Sequence, residues 1–239
     1  MLQARRVTKK FVELVAVDDL SFHVKKGQIY GIAGPNGAGK STVFNLITGN
    51  YDYEGEILFE GKKITGLPPH RIAKTGIART FQIPQIFPSL TVMKSINVGS
   101  RFGSHKGLDP NHVEEVIHFV GLEDERQQMT GRLNLMGKKR LMIGAALATR
   151  PKILMLDEPM AGSNAAEIKE LMVLIRNINQ KLGITVIIIE HFMKVLTELT
   201  EELLILESGR MVCCDTPEVV TSNPEVIKSY LGDAYAECD

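Results

Sequence analysis

The sequence predicts an α/β fold: a parallel sheet covered on both faces by helices, an antiparallel β region at the N terminus, and a helical segment inserted in the middle. Three observations carry that prediction. After Arg150 the strands "KILML" and "ITVIIIE" are almost continuously apolar and are separated by a helical pattern, as strands buried on both faces read. The first ~60 residues instead read as β, with period-two alternation. From about Phe87 to Arg150 the character changes to short helices.

Taken in order, "VDDLSFHV" places Leu20, Phe22 and Val24 on one face, and Gly27 turns the chain into the strand "QIYGIA". "EILFEGKKI" predicts a hairpin closed at Gly61-Lys62. A helix is expected from Pro69 to Thr75, stopped at Gly76 by a favourable left-handed cap position. Asp109 followed by Pro110 is a helix start, and Val113, Val116, Ile117 and Val120 then recur at helical spacing. Between the two buried strands, Ala165–Gln180 reads as an amphipathic helix. There are no internal repeats or low-complexity tracts.

With 239 residues and 44% hydrophobic content, the chain can bury a core without disulfides. Lys+Arg and Asp+Glu balance at 28 each, so no global field points to nucleic acid or an anionic membrane, and no nucleic-acid partner is expected. Three cysteines, Cys213, Cys214 and Cys238, do not make a disulfide framework and fit a reducing cytosol. No apolar signal segment opens the chain. The dense run "ITVIII" is strand-length, against the ~20 residues of a membrane span. A soluble chain is expected, its membrane role supplied by a partner.

"GPNGAGKST" follows an apolar strand and opens a helix containing Val43, Phe44, Leu46 and Ile47. Gly34, Gly39, Lys40 and Ser41 make the G-x-x-x-x-G-K-S pattern of a phosphate cradle, with Pro35, Asn36, Gly37, Ala38 and Thr42 completing the loop. Glycines let consecutive N–H groups point at phosphate oxygens, Lys40 adds a point charge near the outer phosphates, and the Ser41 hydroxyl can ligate Mg²⁺. A chance Gly-rich turn of this pattern arises in roughly 1% of chains of this length.

Ligands of such sheets sit at the carboxyl ends of strands. Asp157 ends the strand "ILMLD", where a bare carboxylate is costly unless it faces a cation, so it is the expected Mg²⁺ partner through water. Glu158, one residue on, is placed to polarise an attacking water. His191 follows "ITVIIIE" directly. A lone histidine is as often structural, but its place at a strand end favours contact with a γ-phosphate. Gln82, after "GIARTF", follows the same logic with a weaker signal.

Together these residues resemble the ATP-binding subunit of an ABC transporter over essentially the whole chain. "GPNGAGKST" looks like Walker A, "ILMLDE" like Walker B, Gln82 like the Q-loop, His191 like the switch histidine and "AGSN" (161–164) like the D-loop. Phe11 matches the aromatic that stacks on adenine, although it could equally be core. "AVDDLSFHV", "GIARTFQ", "FPSLTVMKSINVG", "ITVIIIEH" and "NPEVIKSYLG" resemble the branched-chain amino-acid importer group. The resemblance implies a P-loop, RecA-like ATPase core over residues 1–85 and 151–239 and a helical signature subdomain over 86–150. It further implies catalytic roles for Glu158, His191 and Gln82, Mg²⁺ bound by Ser41, Gln82 and Asp157, and ATP hydrolysis at the inner face of the membrane. Two such subunits would pair head to tail and drive transmembrane permease subunits docked beside Gln82.

"RLNLMGKKRL" departs from that family. The signature reads Leu-Ser-Gly-Gly-Gln, with an arginine two residues later, and here Leu133, Asn134, Leu135, Met136 and Gly137 stand there, followed by Arg140. A one-residue slip would put Gly137 at the second glycine at the expense of one flank. Met136 is expected to place a side chain where backbone should meet phosphate, whereas Asn134 can still donate through its amide. Lys138 and Lys139 lie near a helix start, where positive charge opposes the macrodipole. They are expected to be solvated, or else to face an anion. Ala145, Ser163 and Ala165 also differ from the subgroup. Pairing with a different ATP-binding subunit is therefore favoured over a homodimer. Other readings are a nucleotide-sensing regulatory subunit and a non-transport ATPase of the same superfamily. A P-loop GTPase or kinase is disfavoured because no Asn-Lys-x-Asp motif occurs.

Overall fold

The computed structural model describes residues 1–103 and 107–228. Cys238 and the end of "NPEVIKSYLG" lie outside the described residues. The chain divides into two compact units: Met1–Pro69 together with the chain from Thr185 onward, and His70–Ile184.

In the first unit, β1 (Leu2–Phe11), β2 (Leu14–Val24), β4 (Glu54–Phe59) and β5 (Lys62–Lys63) form an antiparallel sheet of order β2-β1-β4-β5. The predicted alternation holds, since Leu20, Phe22 and Val24 are buried and their neighbours exposed. The hairpin closes one residue earlier than expected. Phe59 pairs with Lys62, so the turn is Glu60-Gly61, with φ +50° and +76°. A two-residue turn that matches strand twist needs positive φ at both positions, and Glu60 adopts it.

Also in this unit, β3 (Ile29–Ala33) runs parallel to β8 (Thr185–Ile189) and to β9 (Glu202–Glu207), and β10 (Arg210–Asp215) returns antiparallel to β9. β3 and β8 are buried at every position, as continuous apolar strands must be. Helices α1 (Lys40–Ile47), α7 (Met193–Leu199), α8 (Pro217–Ser222) and α9 (Pro224–Val226) complete it.

The second unit holds most of α2 (Pro69–Thr75), β6 (Ile77–Arg79) parallel to β7 (Ile153–Asp157), and helices α3 (Val92–Gly103), α4 (Pro110–Phe119), α5 (Leu135–Leu147) and α6 (Ala165–Leu182). Asp109 caps α4, accepting from the His112 backbone N–H. α6 runs two residues beyond the expected Gln180, to Leu182, and Gly183 caps it in the left-handed conformation (φ +66°). The backbones of α3 and α5 approach closely, because a Cβ on Gly99 would lie 2.2 Å from the Ala145 carbonyl oxygen. Among the described residues, no helix is long and apolar enough to cross a membrane.

Candidate functional site

The cradle forms where β3 ends. Gly34 has φ +151° and a Cβ there would meet the Leu206 carbonyl oxygen at 2.1 Å; Gly39 has φ +101°, with the Ala16 carbonyl oxygen 2.4 Å from an added Cβ. Both positions need glycine for conformation and for room. The Gly209 N–H donates to the Ala38 carbonyl and the Asp18 N–H to the Gly209 carbonyl, tying the loop to the β9–β10 turn. Lys40 is 5% exposed, and its Nζ donates to the Gly34 and Pro35 carbonyls at 2.7 and 2.9 Å. The ammonium is thus held inside the loop, where it can face an anion. Ser41 is exposed on the first turn of α1.

Strand register brings His191 to the same edge. Ile32 of β3 pairs with Ile189 of β8, so Gly34 and His191 both emerge two residues beyond that pair, at the carboxyl ends of parallel strands. The buried Glu190 carboxylate accepts from the His191 N–H. Phe11, at the end of β1, is 36% exposed and meets Tyr51 edge to face (5.1 Å, 85°), with Lys9 Nζ 4.9 Å from its ring centroid.

In the second unit Arg79 pairs with Met155, so the residues after β6 and β7 leave the sheet together. Asp157 is 5% exposed and pairs with the Arg79 guanidinium (Nη2–Oδ2 2.7 Å). Gln82 Nε2 donates to Glu158 Oε2 at 2.6 Å, which orients the carboxylate. Glu158 has φ +47°, a strained conformation for a non-glycine residue, of the kind that concentrates at functional positions.

The Leu133–Gly137 segment begins α5. Asn134 is its N-cap, accepting from the Gly137 N–H at 2.7 Å and keeping its amide NH₂ to donate. Two expectations are corrected here. Met136 does not face outward: it is 8% exposed, and Leu135, 41% exposed, is the apolar side chain at the surface. Lys139 is not solvated: it is 3% exposed, and Nζ donates to the Ala161 carbonyl and Ser163 Oγ, both at 2.6 Å. Met136 and Lys139, three residues apart, lie on one side of a helix that is buried over most of its length.

Comparison with known proteins agrees with this arrangement. The family model for ABC transporters matches residues 17–161, and the model for branched-chain amino acid ATP-binding cassette transporters matches residues 210–236. The chain belongs to the ABC transporter family. As an ATP-binding cassette it is an ATPase of the kind coupled to transport. It is 34% identical, over 98% of both chains, to the high-affinity branched-chain amino acid transport ATP-binding protein BraF of Pseudomonas aeruginosa. It is 32% identical, again over 98% of both, to the corresponding protein LivG of Escherichia coli. The crystal structure of another ATP-binding cassette of an ABC transporter, in its ADP conformation, superposes with a TM-score of 0.88 at 31% identity, covering 97% of this chain and 98% of that one.

Of the residues in the cassette, Arg79 was missed in the sequence and Lys139 was seen there but its burial was not. Arg79 closes a buried strand, where a guanidinium demands a counter-ion, and β6 and β7 being neighbours would have nominated Asp157. The bonds of Lys139 to a carbonyl and a hydroxyl more than twenty residues away leave no such signal.

Proposed function

We propose that this cassette is the ATP-hydrolysing subunit of an importer of branched-chain or other amino acids, lying peripherally on the inner face of the membrane and driving separate permease subunits. The observation that carries the cargo class is identity to branched-chain transport proteins along 98% of both chains, joined by the group-specific match at residues 210–236. A solved cassette from Clostridium perfringens, 27% identical with a TM-score of 0.84, is described as part of an ABC transporter complex, in keeping with permease partners. Residues 1–85 and 151–239 act as the ATP-binding core, and 86–150 as the helical signature subdomain.

In this reading the loop Gly34–Thr42 wraps the phosphates, Lys40 compensates the outer ones and the exposed Phe11 ring takes the adenine face. Ser41, Gln82 and Asp157 offer hydroxyl, amide and carboxylate oxygens, the donor chemistry Mg²⁺ prefers, and Mg²⁺ needs few protein ligands when phosphates supply the others. When bound, it neutralises charge on the phosphate oxygens. Glu158, aligned by Gln82, draws a proton from water as the water oxygen attacks the γ-phosphorus. The bond to the bridging oxygen breaks, and ADP leaves with its electron pair. His191 holds the γ-phosphate oxygens.

Glu158→Gln tests this directly. Turnover should fall about 10²–10⁴-fold while ATP binding persists, because the amide cannot take the proton. Full ATPase activity in that variant would refute the assignment. The altered segment Leu133–Gly137 favours a heterodimer with a second ATP-binding subunit that brings an ordinary signature. Purified alone, the chain should remain monomeric with ATP and hydrolyse it slowly. Dimerisation with brisk turnover by this chain alone would replace the heterodimer with a homodimer.

A further inference from the structure

Lys139 is a buried cation with no place in the mechanism above. Burying an ammonium costs several kcal/mol unless it is hydrogen-bonded, yet a methionine of similar length would fill the same space. Two of its acceptors, the Ala161 carbonyl and Ser163 Oγ, flank Gly162, whose φ is +71°. A Cβ on Gly162 would lie 3.3 Å from Leu135 Cδ2. Leu135 and Lys139 are four residues apart on α5 and therefore share a face. The start of α5 thus grips the 161–164 loop at two points, Leu135 against its glycine and Lys139 against the residues on either side. That loop is continuous with the proposed catalytic carboxylate: the Ala161 N–H donates to the Glu158 carbonyl and the Ser163 N–H to that of Met160.

We propose that Lys139 is a positioning residue, the pin of a clasp that holds the loop after Glu158 in fixed register with the Leu133–Gly137 turn. The altered signature position and the loop leading from Glu158 then move as one body. The functional consequence rests on the reading that Glu158 supports hydrolysis and that the Leu133–Gly137 segment serves a second subunit's ATP site. Arginine at this position keeps donors for both acceptors. Methionine keeps the volume and loses the bonds, and Ser163→Ala removes one acceptor from the loop side without touching the helix.

Hydrogen exchange on the full chain, combined with steady-state ATPase assays on the chain with its co-purifying subunits, tests the clasp. Lys139→Met should raise amide exchange over residues 159–164 about tenfold while exchange elsewhere stays unchanged. It should lower kcat about tenfold with KM for ATP within about twofold. Lys139→Arg should restore both, and Ser163→Ala should shift exchange in the same direction by less. Unchanged loop exchange in both Lys139→Met and Ser163→Ala overturns the clasp. So does a uniform rise across α5 and α6, which marks a residue that only stabilises the fold, and so does a loosened loop with unaltered kcat. Exchange is read without nucleotide, so it judges the clasp even if Glu158→Gln left turnover intact and the reading of the site failed.

Discussion

Asp157 ends β7 with its side chain 6% exposed, and Arg79 faces it with 8% exposed. Neither charge is tolerable there alone, and their bond at 2.7 Å is what permits both. Removing the arginine strips the buried Asp157 carboxylate of this counter-ion. Arg79→Met should therefore destabilise the chain by about 3–5 kcal/mol, read from urea unfolding. Adding Asp157→Asn to that variant should return a substantial part of the loss. If Arg79→Met unfolds at the wild-type midpoint, the pair contributes nothing and Asp157 has another buried partner. Glu158 beside it illustrates a different residue-scale effect, a left-handed backbone at the position where the chain turns its carboxylate away from the strand.

At the scale of elements, glycine decides how closely helices approach. Gly99 lets α3 sit against the Ala145 carbonyl, and a Cβ would intrude to 2.2 Å on backbone that cannot swing aside as a side chain can. Gly99→Ala should cost about 1–3 kcal/mol despite alanine's better helix propensity, lowering the melting temperature by about 2–4 °C per kcal/mol. A raised melting temperature would mean that α3 shifts freely. α6 shows the opposite kind of element, specified locally. Asn164 accepts from the Ala166 and Glu167 N–H groups while the Glu167 carboxylate accepts from the Asn164 N–H, a complete capping box at the loop pinned by Lys139.

At the scale of the whole molecule, pH should act through the base of the first unit. Glu202, at the start of β9, is partly desolvated, which opposes ionisation. Hydrogen bonds from Gln28, Cys214 and Lys25 outweigh that and hold its carboxyl below the ordinary 4.5. The unfolded chain binds this proton more readily, so the stabilisation is present above about 4.5 and is lost as pH falls through the lower folded value. Glu202→Gln should flatten the acid side of the stability curve, measured as urea midpoints over the acidic range. An unchanged acid limb would show that other carboxylates govern it. In the same cluster, burial pushes the Cys214 thiol up to about 11, with Tyr30 hydroxyl 3.1 Å away, so this cysteine is a poor nucleophile at neutral pH.

Local chemistry made much of this protein legible from its residues alone. Gly34, Gly39, Lys40 and Ser41 are spaced by the geometry of one loop, and Asp109-Pro110 caps a helix through bonds reaching only three residues. The two-residue turn at Glu60-Gly61 was missed by one position because strand pairing, not glycine preference, chose its register. Met136, Arg79 and Lys139 could not be placed in advance for a related reason. Which face of α5 is buried, which strand lies beside β6, and which loop reaches Lys139 all depend on contacts between residues far apart in the chain. Sequence by itself determined the family and marked the cradle and the acidic strand end, because the residues of each motif are contiguous in the chain. Only the tertiary structure decided the cation on Asp157 and the inward turn of Met136 and Lys139, because desolvation depends on everything packed around a group and not on the residues adjoining it.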